Sequence, residues 1–132
     1  MEKMRVVVSA FAIGCVLTTT ASWGQQIGLT RTDLQRHDLS LPGYETVQAR
    51  VDFAPGAAAA RHSHPGEEII YVLTGALEYQ IDGSAPVVVN AGQVFFVPAG
   101  AIHQAKNVGS TMASELATYV VEKGQPLITP AP

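Results

Sequence analysis

One cysteine, one tryptophan and three methionines are all that this 132-residue chain holds of those types. With Cys15 as its single thiol, the chain can close no internal disulfide and build no thiolate metal cluster. Charge is also scarce, at 14% of residues against about 25% in an ordinary globular protein. The eight Lys and Arg form no cluster, and the formal charge is −3. Such a surface argues against nucleic acid or an anionic membrane as partner. No apolar run reaches the ~20 residues that a membrane-spanning helix needs. A phosphate-binding glycine loop, a dinucleotide fingerprint and a Ser-His-Asp arrangement are all missing.

The N-terminal stretch has a layout of its own. Met1-Glu2-Lys3-Met4-Arg5 is a short charged head, Val6 to Leu17 is apolar or small, and Thr18 to Gly24 is a run of mostly small residues. This is the three-part order of a secretory signal peptide. Cleavage is expected after Gly24, with Ala21 as an alternative position and a lipoprotein-type Cys15 as a third. A periplasmic or secreted protein follows from this expectation, with no membrane attachment after cleavage. Without residues 1–24 no cysteine remains, and six cationic against ten acidic side chains give a formal charge near −4. The expected organisation is then a signal peptide over 1–24, an N-terminal arm over 25–45, one β-domain over 46–122 and an extended tail over 123–132.

The β-domain shows the period of two. Thr46 to Phe53 alternates polar and apolar and stops at Ala54-Pro55-Gly56. Ala76 to Ile81 alternates again before Asp82-Gly83, a hairpin turn signal. Glu68 to Leu73, Pro86 to Val89, Gln93 to Val97, Ala101 to Lys106 and Ala113 to Glu122 read as further strands. Asp33 to Arg36 reads as a helical turn or an edge strand. Many short strands punctuated by turns predict an all-β sandwich or barrel.

Three of the four histidines fall in one pattern. It runs Gly56, five residues, His62-Ser63-His64, three residues, Glu68, six residues, Gly75. A second part runs Gly92, five residues, Pro98-Ala99-Gly100, two residues, His103, three residues, Asn107. His62 and His64 are two apart, so on a strand they share a face. A hairpin folded at Pro65-Gly66 would return Glu68 to the pair, and His103 arrives from a distant strand. Three imidazoles and a carboxylate suit one divalent transition ion (Fe, Mn, Ni, Cu or Zn) better than calcium or magnesium. His37, beside Arg36 and Asp38, and Glu67, one residue out of register, read as surface groups.

The two-part pattern resembles the paired signature of the cupin superfamily, with all ten fixed positions filled. Its five Gly and Pro positions alone would align by chance about once in a million placements. The resemblance implies a single-domain cupin jelly-roll β-barrel of the quercetin dioxygenase-like group. It implies His62, His64, Glu68 and His103 as metal ligands. Small cupins commonly pair sheet to sheet, which implies a homodimer.

Alternation predicts the walls of the site. Ala60 would share the inward face of the histidine pair, Ile70 and Val72 that of Glu68, and Tyr79 would offer a phenol or serve as core packing. Phe96 or Phe95 would close one side. Four protein ligands on a six-coordinate ion leave about two positions for a substrate. Glu68 is expected to remain a ligand or to act as the catalytic base. Two function classes stay open. One is a small metal-dependent enzyme of dioxygenase type acting on an enol, phenol or dicarbonyl, with a Lewis-acid isomerase or lyase as its variant. The other is a non-catalytic module that binds a metal or a sugar-like ligand.

Overall fold

The computed structural model describes residues 26–132; the expected signal peptide lies outside them. Ten strands follow in chain order: β1 Leu29–Asp38, β2 Tyr44–Phe53, β3 Ala58–Ser63, β4 Gly66–Thr74, β5 Ala76–Ile81, β6 Val87–Asn90, β7 Val94–Val97, β8 His103–Asn107, β9 Ala113–Glu122 and β10 Thr129–Pro130. They form two five-stranded antiparallel sheets, ordered β1-β2-β9-β4-β7 and β10-β3-β8-β5-β6. This is an all-β jelly roll. Among the described residues no helix is long and apolar enough to cross a membrane.

The inner faces are set by alternation. Val47, Ala49, Val51 and Phe53 of β2 are buried, as are Ile70 and Val72 of β4 and Leu77 and Tyr79 of β5. Two clusters result. The larger joins Val51, Phe53, Ile70, Val72, Leu77, Tyr79 and Val97, and the smaller joins Val47, Ala117, Tyr119 and Val121. The stretch read as an arm supplies β1, an edge strand paired along its length with β2. The tail turns at 123–125 and returns to pair Thr129 with Ser63 and Pro130 with His62.

Two local readings need correction. Pro65-Gly66 makes no hairpin, because β3 and β4 lie in different sheets. The chain crosses between the sheets there, and a Cβ on Gly66 would sit 2.0 Å from the Val120 carbonyl oxygen. Glycine is needed at that position for close backbone approach. The parity of β3 also differs from expectation. Its register against β8 shifts between Ala59 and His62, so the inward alanine ahead of the histidines is Ala59 rather than Ala60 or Ala58. An irregularity of this kind inserts a residue and reverses the alternation beyond it.

Candidate metal centre

His62 on β3 lies directly opposite His103 on β8. His64 follows β3 in the crossover, and Glu68 projects from β4 of the facing sheet. The site therefore forms between the two sheets, and all four side chains are buried. One ligand atom from each of His62, His64 and His103 lies within 4.8 Å of the others, a group that can hold a metal ion. Glu68 Oε2 stands 3.1 Å from His103 Nε2 and 3.3 Å from His64 Nε2.

Backbone carbonyls fix the rings. His62 Nδ1 is 2.6 Å from the Ala60 oxygen, His64 Nδ1 is 2.7 Å from the Leu127 oxygen and His103 Nδ1 is 3.0 Å from the Ala101 oxygen. A carbonyl only accepts, so each Nδ1 carries a hydrogen, and in the neutral ring Nε2 is left to present its lone pair. His64 Nε2 and Glu68 Oε2 are buried with no hydrogen-bond partner; they face each other at 3.3 Å, and a ring nitrogen and a carboxylate oxygen that each present a lone pair cannot satisfy one another. Buried polar atoms left in this state are costly. A cation placed among them satisfies both, so the donor set fits a divalent transition ion.

Burial lowers the His62 pKa to about 4, with the Ala60 hydrogen bond opposing and His103 and His64 adding to the fall. For Glu68 burial pushes upward, yet interaction with His103 and His64 outweighs it and holds the carboxyl well below its usual range. Glu68 is thus held as a carboxylate and His62 as a neutral imidazole, the states that metal ligation requires of them.

A cavity of about 70 Å³ opens beside these groups. Its walls include His62, His103, Glu68, Tyr79, Phe53 and Ala59. Tyr79 is stacked on Phe95, whose ring centroid is 4.8 Å away. Phe96 does not close the cavity: it is 54% exposed on the outer face, opposite Ile69. Phe95 is its inward neighbour because β7 alternates. Ala60 lines an open outer groove instead. Ile70 and Val72 are fully buried core residues and do not line the cavity. Gln104 bonds Gln80 on the opposite side of β8, and His37 sits on the exposed edge strand β1. Asn107, the last motif residue, is a structural clamp. Its Nδ2 donates to the Phe53 and Thr111 carbonyls, and its Oδ1 accepts from Gly109 N–H.

Sequence reasoning missed Glu115, Tyr119 and Arg31. Glu115 bonds the Tyr79 hydroxyl and lines the cavity. Burial, and then the charge of Glu68, push its pKa up to about 8 against the lowering effects of Tyr79 and Arg31. Tyr119 packs edge-on against His64, with centroids 4.8 Å apart, and accepts a 3.2 Å hydrogen bond from Arg31. A signal existed for Glu115: on β9 it alternates with Ala113, Ala117, Tyr119 and Val121, the one charged residue on an inward apolar face.

Two outcomes follow. His62→Ala and His103→Ala are each expected to lose stoichiometric metal in elemental analysis, and full metal content in both would remove the site. The second concerns pH. The folded protein holds a proton on Glu115 between the ordinary carboxyl value of 4.5 and about 8. That contribution to stability is complete below 4.5 and is lost as pH rises through 8. In chelated protein the melting temperature should therefore fall between pH 5 and 8.5 relative to Glu115→Gln; parallel curves would contradict it.

The comparisons with known proteins agree with this geometry. The family model for the cupin domain matches residues 49–121. Germin-like protein subfamily 2 member 2 of Arabidopsis thaliana is 37% identical over 87 residues, covering 60% of this chain and 40% of that protein. Nectarin-1 of Nicotiana plumbaginifolia is 29% identical over 119 residues, covering 84% and 49%. This chain thus spans less than half the length of these curated relatives. A recombinant oxalate oxidase in complex with glycolate superposes with a TM-score of 0.65 at 31% identity, over 81% of this chain and 57% of that one. A cupin superfamily protein of Desulfitobacterium hafniense, at 17% identity and TM-score 0.61 over 74% of this chain and 82% of that one, shares the fold. With both motif halves filled and their histidines gathered between two antiparallel sheets, the chain belongs to the cupin family.

Proposed function

We propose that this cupin is an exported metal-dependent oxidoreductase of dioxygenase or oxidase type, acting on a small oxygen-rich molecule. The observation that carries the reading is the convergence of His64 Nε2 and Glu68 Oε2, both buried and without hydrogen-bond partners, beside His62 and His103. His62, His64 and His103 would hold the ion, with Glu68 as fourth ligand. A bound divalent transition ion would supply Lewis acidity or one-electron chemistry at this position. The chain's own contribution is positional. The three carbonyl-anchored rings keep their lone pairs aimed, Glu68 stays ionised as ligand or base, and Phe53, Phe95 and Tyr79 limit water.

Size narrows the substrate. The cavity measures about 70 Å³. Drug-sized ligands occupy sites of about 300–1,000 Å³. A small acid, enol or dicarbonyl therefore suits the cavity better than a flavonol. The oxalate oxidase neighbour, in complex with glycolate, supports the same substrate size. Export is supported by the charged-apolar-small order of residues 1–24.

A homodimer is part of this proposal. Ile69, Tyr71 and Leu73 of β4 and Val94 and Phe96 of β7 are exposed on one sheet face, an apolar patch of the kind that marks interaction sites.

The test of function is oxygen uptake by metal-loaded protein against small hydroxy acids, β-diketones and catechols. Uptake with one class and none after His103→Ala is expected. Silence across the panel, with tight binding in calorimetry, would make the protein a binding module. Light scattering should give twice the protomer mass, and a monomer at working concentration would exclude the dimer.

A further inference from the structure

Deepening the metal-centre reading, on which it rests, we infer that Tyr79 and Glu115 form a second recognition wall of the cavity, binding the polar end of a ligand whose other end lies at the histidine cluster. Both side chains are buried, 2% and 4% exposed, and each comes from a different sheet: Tyr79 from β5 and Glu115 from β9. Their side chains meet across the barrel, and both line the same cavity as His62, His103 and Glu68. The cavity is thus bounded by a ligand cluster and by a phenol–carboxyl pair.

The pair is costly as a purely structural element. Two buried polar groups could be replaced by apolar ones of the same shape with little loss of stability. Glu115 adds a cost of its own, since it is buried near the carboxylate Glu68. The remaining polar groups on the cavity wall are Arg31 and Gln26 from the N-terminal side and Tyr119 from β9. Arg31 already bonds Tyr119 and pairs with Asp33. Glu115 Oε2 takes the Tyr79 hydroxyl, and the carboxyl group as a whole lines the cavity. Burial keeps Tyr79 a phenol and moves Glu115 toward the neutral acid at neutral pH. The wall can then both donate to and accept from a hydroxyl or carboxyl group. Ligands with a polar group at each end are selected, and those with one polar end gain only the metal contact.

The experiment uses Co(II)-loaded protein, whose visible spectrum reports anion binding, with two probes. Azide binds the metal alone, and glycolate carries a second polar group and is small enough for the cavity. The variants are Glu115→Gln, which keeps an acceptor for Tyr79 and a donor for the ligand, and the double variant Tyr79→Phe/Glu115→Leu, the apolar replica that leaves no orphaned partner. Wild type and Glu115→Gln are expected to bind glycolate with similar affinity. The double variant should bind Co(II) and azide normally but glycolate about tenfold more weakly, the loss of one hydrogen bond. Unchanged glycolate affinity in the double variant overturns the inference, as does a wild type that binds azide but no glycolate. Loss of glycolate binding in Glu115→Gln also counts against it, and if the double variant does not fold Tyr79→Phe decides, with weaker glycolate and unchanged azide binding expected and unchanged glycolate overturning the inference. Failure of wild type to hold Co(II) would instead defeat the metal-centre reading itself.

Discussion

Three backbone carbonyls, those of Ala60, Ala101 and Leu127, decide what the buried histidines can do. Each takes the Nδ1 hydrogen of one ring, which leaves the Nε2 lone pairs converging on one point. Free imidazoles in a buried space would otherwise hydrogen-bond one another or protonate. For His62 burial opposes the second option, and for all three rings the carbonyls oppose the first by holding the Nδ1 hydrogens. The crossover at Gly66, the irregularity in β3 and the return of the tail to β3 all serve this arrangement, since each places one of the anchored rings or its anchor.

The cavity holds two carboxyl groups in opposite states. Glu68 is surrounded by imidazole nitrogens and stays ionised. Glu115 faces a phenol in apolar surroundings and holds its proton. Environment rather than residue type assigns the two roles, as in other sites where paired carboxyls have been pushed apart. One cavity therefore offers a charged carboxylate at one end and a neutral hydrogen-bonding acid at the other.

Much of this was legible in the sequence. Alternation located nearly every strand, and the histidine spacing named the cluster. What failed did so for physical reasons. The β3 irregularity reversed parity at Ala59 and Ala60, which no period-two rule can foresee. Phe96 and Phe95 are adjacent, so choosing between them required the register of β7 against β4. Glu115 was hidden because a charged residue on a strand reads as solvent-facing unless the parity of its neighbours is followed. The Leu127 carbonyl was out of reach altogether, since a backbone acceptor leaves no side-chain trace.

That carbonyl has a consequence for assembly. Leu127 and His64 are 63 residues apart, and between them lie six strands. His62 and His103 take their anchors from two residues upstream, so those rings can be oriented as soon as their own strands form. The His64 ring gains its orientation only after β9 has inserted between β2 and β4 and the chain has returned to β3. A contact of this sequence separation carries more loop-closure entropy than the two-residue anchors of the other rings. A partly folded chain would offer two aimed nitrogens and one free to rotate, a weaker and less selective trap. The complete three-histidine set is then a property of the closed barrel and not of any one sheet or hairpin.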